Sequence, residues 1–240
     1  MKKILICMSL LTFVVAFASF YNGYRKTNFE YVPVVAQSVT NKVIVIDAGH
    51  GIPDKGAINS DGFSEEKANL DIALKLQKLL EANFATVLLT RSDENGIYEL
   101  DAKTIAEKKV SDIKNRVKIA NSSSADLFVS IHLNKIDEEK YHGWQTFFKE
   151  GDDYSKKAAT FIQNNLNDTI SSENKRVPLK INSIYLMKHV EIPITLVECG
   201  FLSNKKEAKQ LQTDEYQSKL AWGIYNGILD YFKEIGWLLK

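Results

Sequence analysis

The chain has four histidines, and two of them stand where predicted strands end: His50 in Asp47-Ala48-Gly49-His50-Gly51, and His132 in Ser130-Ile131-His132. In open α/β sheets ligands collect in the crevice outside the carboxyl ends of the strands, so two imidazoles there could share one metal ion. Glu65 and Glu66 open the first predicted helix, reached from His50 through a Gly-rich loop, and Glu198 ends a third strand. Two histidines and one carboxylate leave a coordination position for water, which is the pattern of zinc hydrolases. A further carboxylate outside the coordination shell is what such a site needs to take the proton of that water. Each residue also has a plainer reading. A histidine at a strand end can simply be hydrogen-bonded, and carboxylates in a first helical turn complement the helix dipole. Residue type and spacing leave both readings open.

The elements that must position these residues follow from hydrophobic pattern. Val43-Ile44-Val45-Ile46 is a short β-branched run suited to a strand buried on both faces. Glu65 to Asn83 places Ile72, Ala73, Leu76, Leu79 and Leu80 on one side of a helix. Thr86 to Thr90 is a second buried strand, and Val110, Ile113, Val117 and Ala120 mark a second amphipathic helix. Leu127 to His132 is the third strand, and Gly143 to Phe148 alternates more weakly as a fourth. A helix over Ala158, Phe161, Ile162 and Leu166 precedes the buried strand Ile194 to Glu198. Asn204 with Glu207 predicts a capping box, and Leu220, Ile224, Ile228 and Phe232 define the C-terminal helix. Strands alternating with helices predict one α/β domain over residues 41–240, three layers deep, with a mostly parallel central sheet flanked by helices.

Thirty-one basic residues against thirty acidic ones give a formal charge of +1, without the clustered basic face that nucleic acid requires. Lys2 and Lys3 precede an uncharged apolar run from Ile4 to Tyr21, which reads as an export signal peptide or a retained membrane anchor over residues 1–21. Residues 22–40, with Gly23 and Pro33 and no helical period, read as a linker. The domain is therefore expected to work outside the cytoplasmic membrane, secreted or tethered, with the two lysines left behind. Cys7 and Cys199 lie too far apart in organisation to be expected to pair, and Cys199 reads as a small buried residue.

The chain resembles the zinc-dependent N-acetylmuramoyl-L-alanine amidases of the Amidase_3 family. The resemblance is carried by Val45-Ile46-Asp47-Ala48-Gly49-His50-Gly51, Gly56-Ala57, Gly62-Phe63-Ser64-Glu65 and Leu89-Thr90-Arg91. It continues through Arg116 with Ala120-Asn121, the block Ala125 to Asn134, and Pro193 with Leu196-Val197-Glu198-Cys199-Gly200-Phe201-Leu202-Ser203-Asn204, in the family's order over about residues 42–233. It implies that His50, Glu65 and His132 bind one zinc ion per chain and that Glu198 is the catalytic base. The family shows Glu-Lys where this chain has Glu65-Glu66-Lys67. Ungapped alignment on Gly62 and Asn69-Leu70 selects Glu65 as the ligand; keeping the dipeptide together would select Glu66. One residue along a helix turns a side chain by about 100°, so the two choices are distinct.

The activity the resemblance implies is hydrolysis of the amide between N-acetylmuramic acid and L-alanine in peptidoglycan. The compact architecture, without wall-binding repeats, resembles the small sporulation-associated amidases that prepare cortex peptidoglycan for muramic-lactam formation. The missing wall module motivates the expectation of an accessory activator protein. Two competing readings are a zinc peptidase cutting within the stem peptide and a non-catalytic wall-binding module, the latter disfavoured by Glu198. His142 and His189 match no ligand motif and read as surface or packing residues, although His189 could line the cleft. Arg116, Asn121 and Asn134 are expected to support the site from behind. Arg176, Lys180 and Lys188 are read as solvated charges that could meet stem-peptide carboxylates. Tyr141, Trp144, Phe147 and Phe148 are read as packing rather than a sugar platform.

Overall fold

The computed structural model describes residues 38–170 and 174–238. The expected signal or anchor, and the linker up to residue 37, lie outside the described residues. Among the described residues no helix is long and apolar enough to cross a membrane.

Six strands form one sheet in the order β2-β1-β3-β6-β4-β5. They are β1 (Val43–Ala48), β2 (Thr86–Leu89), β3 (Leu127–Asn134), β4 (Gln145–Lys149), β5 (Leu179–Ile181) and β6 (Ile194–Phe201). The pairs β1–β2, β1–β3, β3–β6 and β4–β5 are parallel, and β4 joins β6 antiparallel. The sheet is thus mixed but mostly parallel, a single α/β domain as the sequence predicts. β1, β3 and β6 are apolar almost throughout because they are covered on both faces.

The helices are α1 (Glu65–Glu81), α2 (Ile105–Ser122), α3 (Asp153–Thr169), α4 (Tyr185–His189), α5 (Lys205–Leu211) and α6 (Asp214–Leu238). On one face Ile44, Ile46, Ile131 and Val197 pack with Ile72 and Leu76 of α1, Ile162 and Leu166 of α3, and Ile224 and Ile228 of α6. On the other, Val45, Phe128 and Leu196 meet Ala120, Val117 and Ile113 of α2 and Leu186 and Met187 of α4. Alternate residues of each strand serve the two cores. The helices α3 and α6 cross so closely that a Cβ on Gly227 would stand 2.4 Å from the Cα of Ile162.

Several local expectations are corrected. β5 and α4 have too few apolar residues to register as periodic elements. β3 and β6 extend to Asn134 and Phe201, beyond the predicted ends. Val110, placed on the buried side of the second helix, is 52% exposed, and α2 begins five residues earlier on a Thr104–Glu107 capping box. At α5 only half the predicted box forms: the Asn204 side chain accepts from Glu207 N at 3.0 Å. The Glu207 carboxylate turns inward instead and accepts from Phe201 N and Gly143 N, each at 2.8 Å. Residues 38 and 39, assigned to the linker, form a 3₁₀ turn in which Val39 is fully buried in the core.

Candidate active site

The parallel strands β1 and β3 deliver His50 and His132 to the same end of the sheet, and α1 brings Glu65 between them. Oε1 of Glu65 lies 3.2 Å from His50 Nε2 and 3.0 Å from His132 Nδ1. The two imidazoles stand edge to face, 5.1 Å between centroids. One ligand atom from each of the three residues falls within 4.8 Å of the others. A tetrahedral ion with bonds of ~2.1 Å needs donors ~3.4 Å apart, and the two separations from Glu65 to the imidazoles are near that. Glu66 does not join this cluster; its backbone carbonyl accepts from Arg91, and its Oε2 is enclosed without a partner.

The donors are held from behind. His50 sits at φ 61°, a left-handed conformation unusual for a residue with a Cβ. Two buried guanidiniums grip the carbonyls that fix this turn. Arg91 Nε and Arg116 Nη1 both donate to Ala48 O, at 2.8 and 2.7 Å. Arg91 Nη2 donates to Gly49 O and Arg116 Nη2 to His50 O. Arg116 is neutralised by Asp47 and Asp112, and Asp47 also accepts from Thr90 and Ser130. Burial works against the Asp47 carboxylate, yet Arg116 and the two hydroxyls hold it below its ordinary range. The expected supporting role of Arg116 thus has a concrete form. Asn121 instead ties α2 to the chain after α4, through His189 O and Glu191 N.

Gly49 is required by close approach. A Cβ there would lie 2.3–2.7 Å from three ring atoms of His132. The remaining Glu65 oxygen accepts from Ala57 N at 2.9 Å, so the carboxylate is oriented by the loop that precedes its own helix.

Sequence reasoning missed Asp54, Lys109 and Asn69. Asp54 Oδ2 meets His50 Nδ1 at 3.0 Å, and Lys109 Nζ meets Asp54 Oδ1 at 2.8 Å. With Nδ1 facing Asp54, the Nε2 of His50 is the nitrogen presented to the cluster, the arrangement that fixes the tautomer of a metal-ligating histidine. Because both ring nitrogens face carboxylates, the pKa of His50 is raised to about 9, although burial opposes it. A bound cation would replace the second proton, so the donor set fits a divalent metal. Asn69 donates to Gly49 O at 3.1 Å from one turn beyond Glu65, a spacing that could have signalled its role.

Glu198 is the register partner of His132 across β3 and β6. Paired residues of parallel strands share a face, with the strands ~4.8 Å apart. Its Oε2 is enclosed and has no hydrogen-bond partner. Burial raises its pKa to about 7, partly offset by His132. A carboxyl poised there can take and return a proton near neutrality. Neighbouring Cys199 is fully buried, and burial pushes its thiol well up, away from a nucleophilic state. Trp144 is likewise core; His142 and His189 are exposed.

Comparison with known proteins gives a consistent picture. The family model described as N-acetylmuramoyl-L-alanine amidase, Amidase_3, matches residues 44–230. The chain is similar to the germination-specific N-acetylmuramoyl-L-alanine amidase of Bacillus subtilis (strain 168), at 34% identity over 235 residues and 98% of each chain. In structure it is similar to the CwlD amidase from Clostridioides difficile, solved in complex with the GerS lipoprotein: TM-score 0.79, 44% identity, 81% of this chain and 100% of that one. It also resembles the catalytic domain of CwlV from Bacillus (Paenibacillus) polymyxa var. colistinus, with TM-score 0.69, 31% identity, and coverage of 80% and 98%.

Proposed function

Since the chain belongs to the Amidase_3 family of N-acetylmuramoyl-L-alanine amidases, and is a peptidoglycan amide hydrolase, we propose that it works as a zinc enzyme on spore-cortex peptidoglycan. The observation that carries the reading is the convergence of His50, Glu65 and His132 beside the enclosed carboxyl of Glu198. These three residues would hold one zinc ion. When bound, zinc supplies a Lewis acid that makes water acidic enough to lose a proton near pH ~7 and polarises the scissile carbonyl.

The rest is done by the chain. Asp54 fixes the His50 ring, and Asn69 and the Ala57 N–H fix Glu65, so the donors are in place before substrate arrives. Glu198 accepts the proton of the attacking water as oxygen adds to the lactyl carbonyl. It returns that proton to the L-alanine nitrogen as the C–N bond breaks. The products are a free muramic carboxylate and a stem peptide with a free amino terminus.

The spore assignment draws support from the germination-specific relative, matched over 98% of both chains, and from the CwlD amidase at 44% identity. That amidase is solved with a lipoprotein, which supports an accessory protein partner here as well. Peptidoglycan lies outside the cytoplasmic membrane, so the domain acts there, secreted or tethered by the residues before 38. The test is genetic and chemical. Cells lacking this chain should make cortex without muramic lactam, and the purified full chain should carry one zinc by elemental analysis. Normal cortex in the deletion strain would refute the spore role, and a metal-free active protein would refute the zinc role.

A further inference from the structure

We propose that a basic pocket just past the end of β6 binds a free carboxylate of the stem peptide, on the amine side of the scissile bond. This rests on the amidase reading above and names the feature of the substrate that the site selects.

The pocket, about 490 Å³, is lined by Lys140, Tyr141 and His142 from the β3–β4 loop and by Asn174, Lys175 and Arg176 from the segment before β5. Its walls are fixed. Asn174 Nδ2 donates to Trp144 O at 2.8 Å, and its Oδ1 accepts from Arg176 N at 3.2 Å. The Arg176 guanidinium lies over the Phe201 ring, 4.9 Å from the centroid, and Nη1 donates to His142 O. Stacking and that bond restrain the group, and among the described residues no other acceptor meets its side chain. A planar fork of N–H groups so held is suited to a carboxylate.

The described acids nearby are already committed. Glu138 pairs with Lys140, and Glu139 pairs with Lys205 at 3.0 Å. Glu207 faces inward onto two backbone N–H groups. Arg176 forms no ion pair among the described residues. Among the described residues no carboxylate lines the pocket. A second cavity near the site, about 550 Å³, instead mixes Asp61, Asp137 and Glu139 with Lys135, Lys205 and Lys209, and so has no preference for an anion.

The placement also fits. Gln145 pairs antiparallel with Glu198, so the start of β4 lies beside the end of β6. Phe201, beneath Arg176, is three residues past Glu198, but a bulge sets these three residues against two of β3, so the offset is ~7 Å along the strand. An extended peptide covers ~3.3–3.6 Å per residue. With the L-alanine nitrogen at Glu198, the acidic second or third residue of the stem reaches the pocket.

The experiment compares two muropeptides with the same glycan, one with free stem carboxylates and one with those carboxylates amidated. The zinc-loaded full chain, Arg176→Gln and Arg176→Lys are assayed on both, with thermal melts to check folding. The wild type should favour the free acid. Arg176→Gln should lower the acid-to-amide ratio of kcat/KM roughly tenfold, mainly through KM, with Arg176→Lys recovering part. Equal losses on both substrates, or no preference in the wild type, would overturn the pocket assignment and leave the amidase reading standing. Cleavage by the wild type within the stem peptide rather than at L-alanine would overturn both.

Discussion

Replacing Arg116 with leucine measures how far a buried charge pair shapes the turn that presents His50. The side chains of Arg116 and Asp47 are 2% and 0% exposed. The substitution removes the donors to Asp47, Ala48 O, His50 O and Asp112 together. It leaves the Asp47 carboxylate with only the Ser130 and Thr90 hydroxyls, at 2.6 and 2.8 Å. Removing one partner of a buried pair costs about 3–5 kcal/mol. Set against a total stability of about 5–15 kcal/mol, that is a large fraction. A chain of this size loses about 2–4 °C of Tm per kcal/mol, so the melting point should fall by about 6–20 °C. Urea and thermal melts at pH 7 would read it. Adding Asp47→Asn should cost less than the sum of the single effects, because the stranded charge is then gone. A Tm within a degree of wild type, or strict additivity in the double variant, would refute the argument that this pair holds the turn.

Other outcomes follow from the same geometry. Gly49→Ala should drive the His132 ring from its place, lowering zinc affinity at least 10-fold in a chelator competition while the Tm changes little; unchanged affinity would mean that the ring is not a ligand. Asp54→Ala should weaken zinc binding by about 10–100-fold, measured in the same way, because His50 loses the partner that fixes its tautomer. Burial raises the pKa of Glu207 despite its two backbone donors, so the folded state holds that proton more tightly than the unfolded chain does. Its contribution to stability is then full at acid pH and is lost as pH rises through the folded value. Urea melts should therefore show the wild type losing stability relative to the non-titrating Glu207→Gln as pH rises; a wild type that gains on the variant with rising pH would refute this.

Much of this was legible in the chain because the decisive residues sit where the pattern is strongest. The runs before His50, His132 and Glu198 are apolar and β-branched, so their strands and their shared carboxyl end follow from burial alone. Choosing Glu65 over Glu66 needed a one-residue decision on a helix, and in the structure Glu65 stands between the imidazoles. The weak elements were not legible for physical reasons. β5 is three half-exposed or exposed residues, and α4 is little more than one turn, so neither imposes a period. Asp54 acts from a loop that doubles back and Lys109 reaches it from α2, so spacing along the chain gives little signal for either, whereas Asn69, one turn beyond Glu65 on α1, had a spacing that pointed to it. Glu207 looked like a helix cap, but it satisfies donors on β6 and the β3–β4 loop, a tertiary role that overrides its local one.

The most direct test of the central claim is to incubate the zinc-loaded full chain with sacculi and defined muropeptides and to identify the new ends by mass spectrometry, with Glu198→Gln alongside. The account predicts peptide-free muramic acid and stems with free L-alanine amino termini, with kcat reduced by at least ~10²-fold in Glu198→Gln while zinc remains bound. Cleavage inside the stem peptide, or a Glu198→Gln variant as fast as wild type, would contradict it.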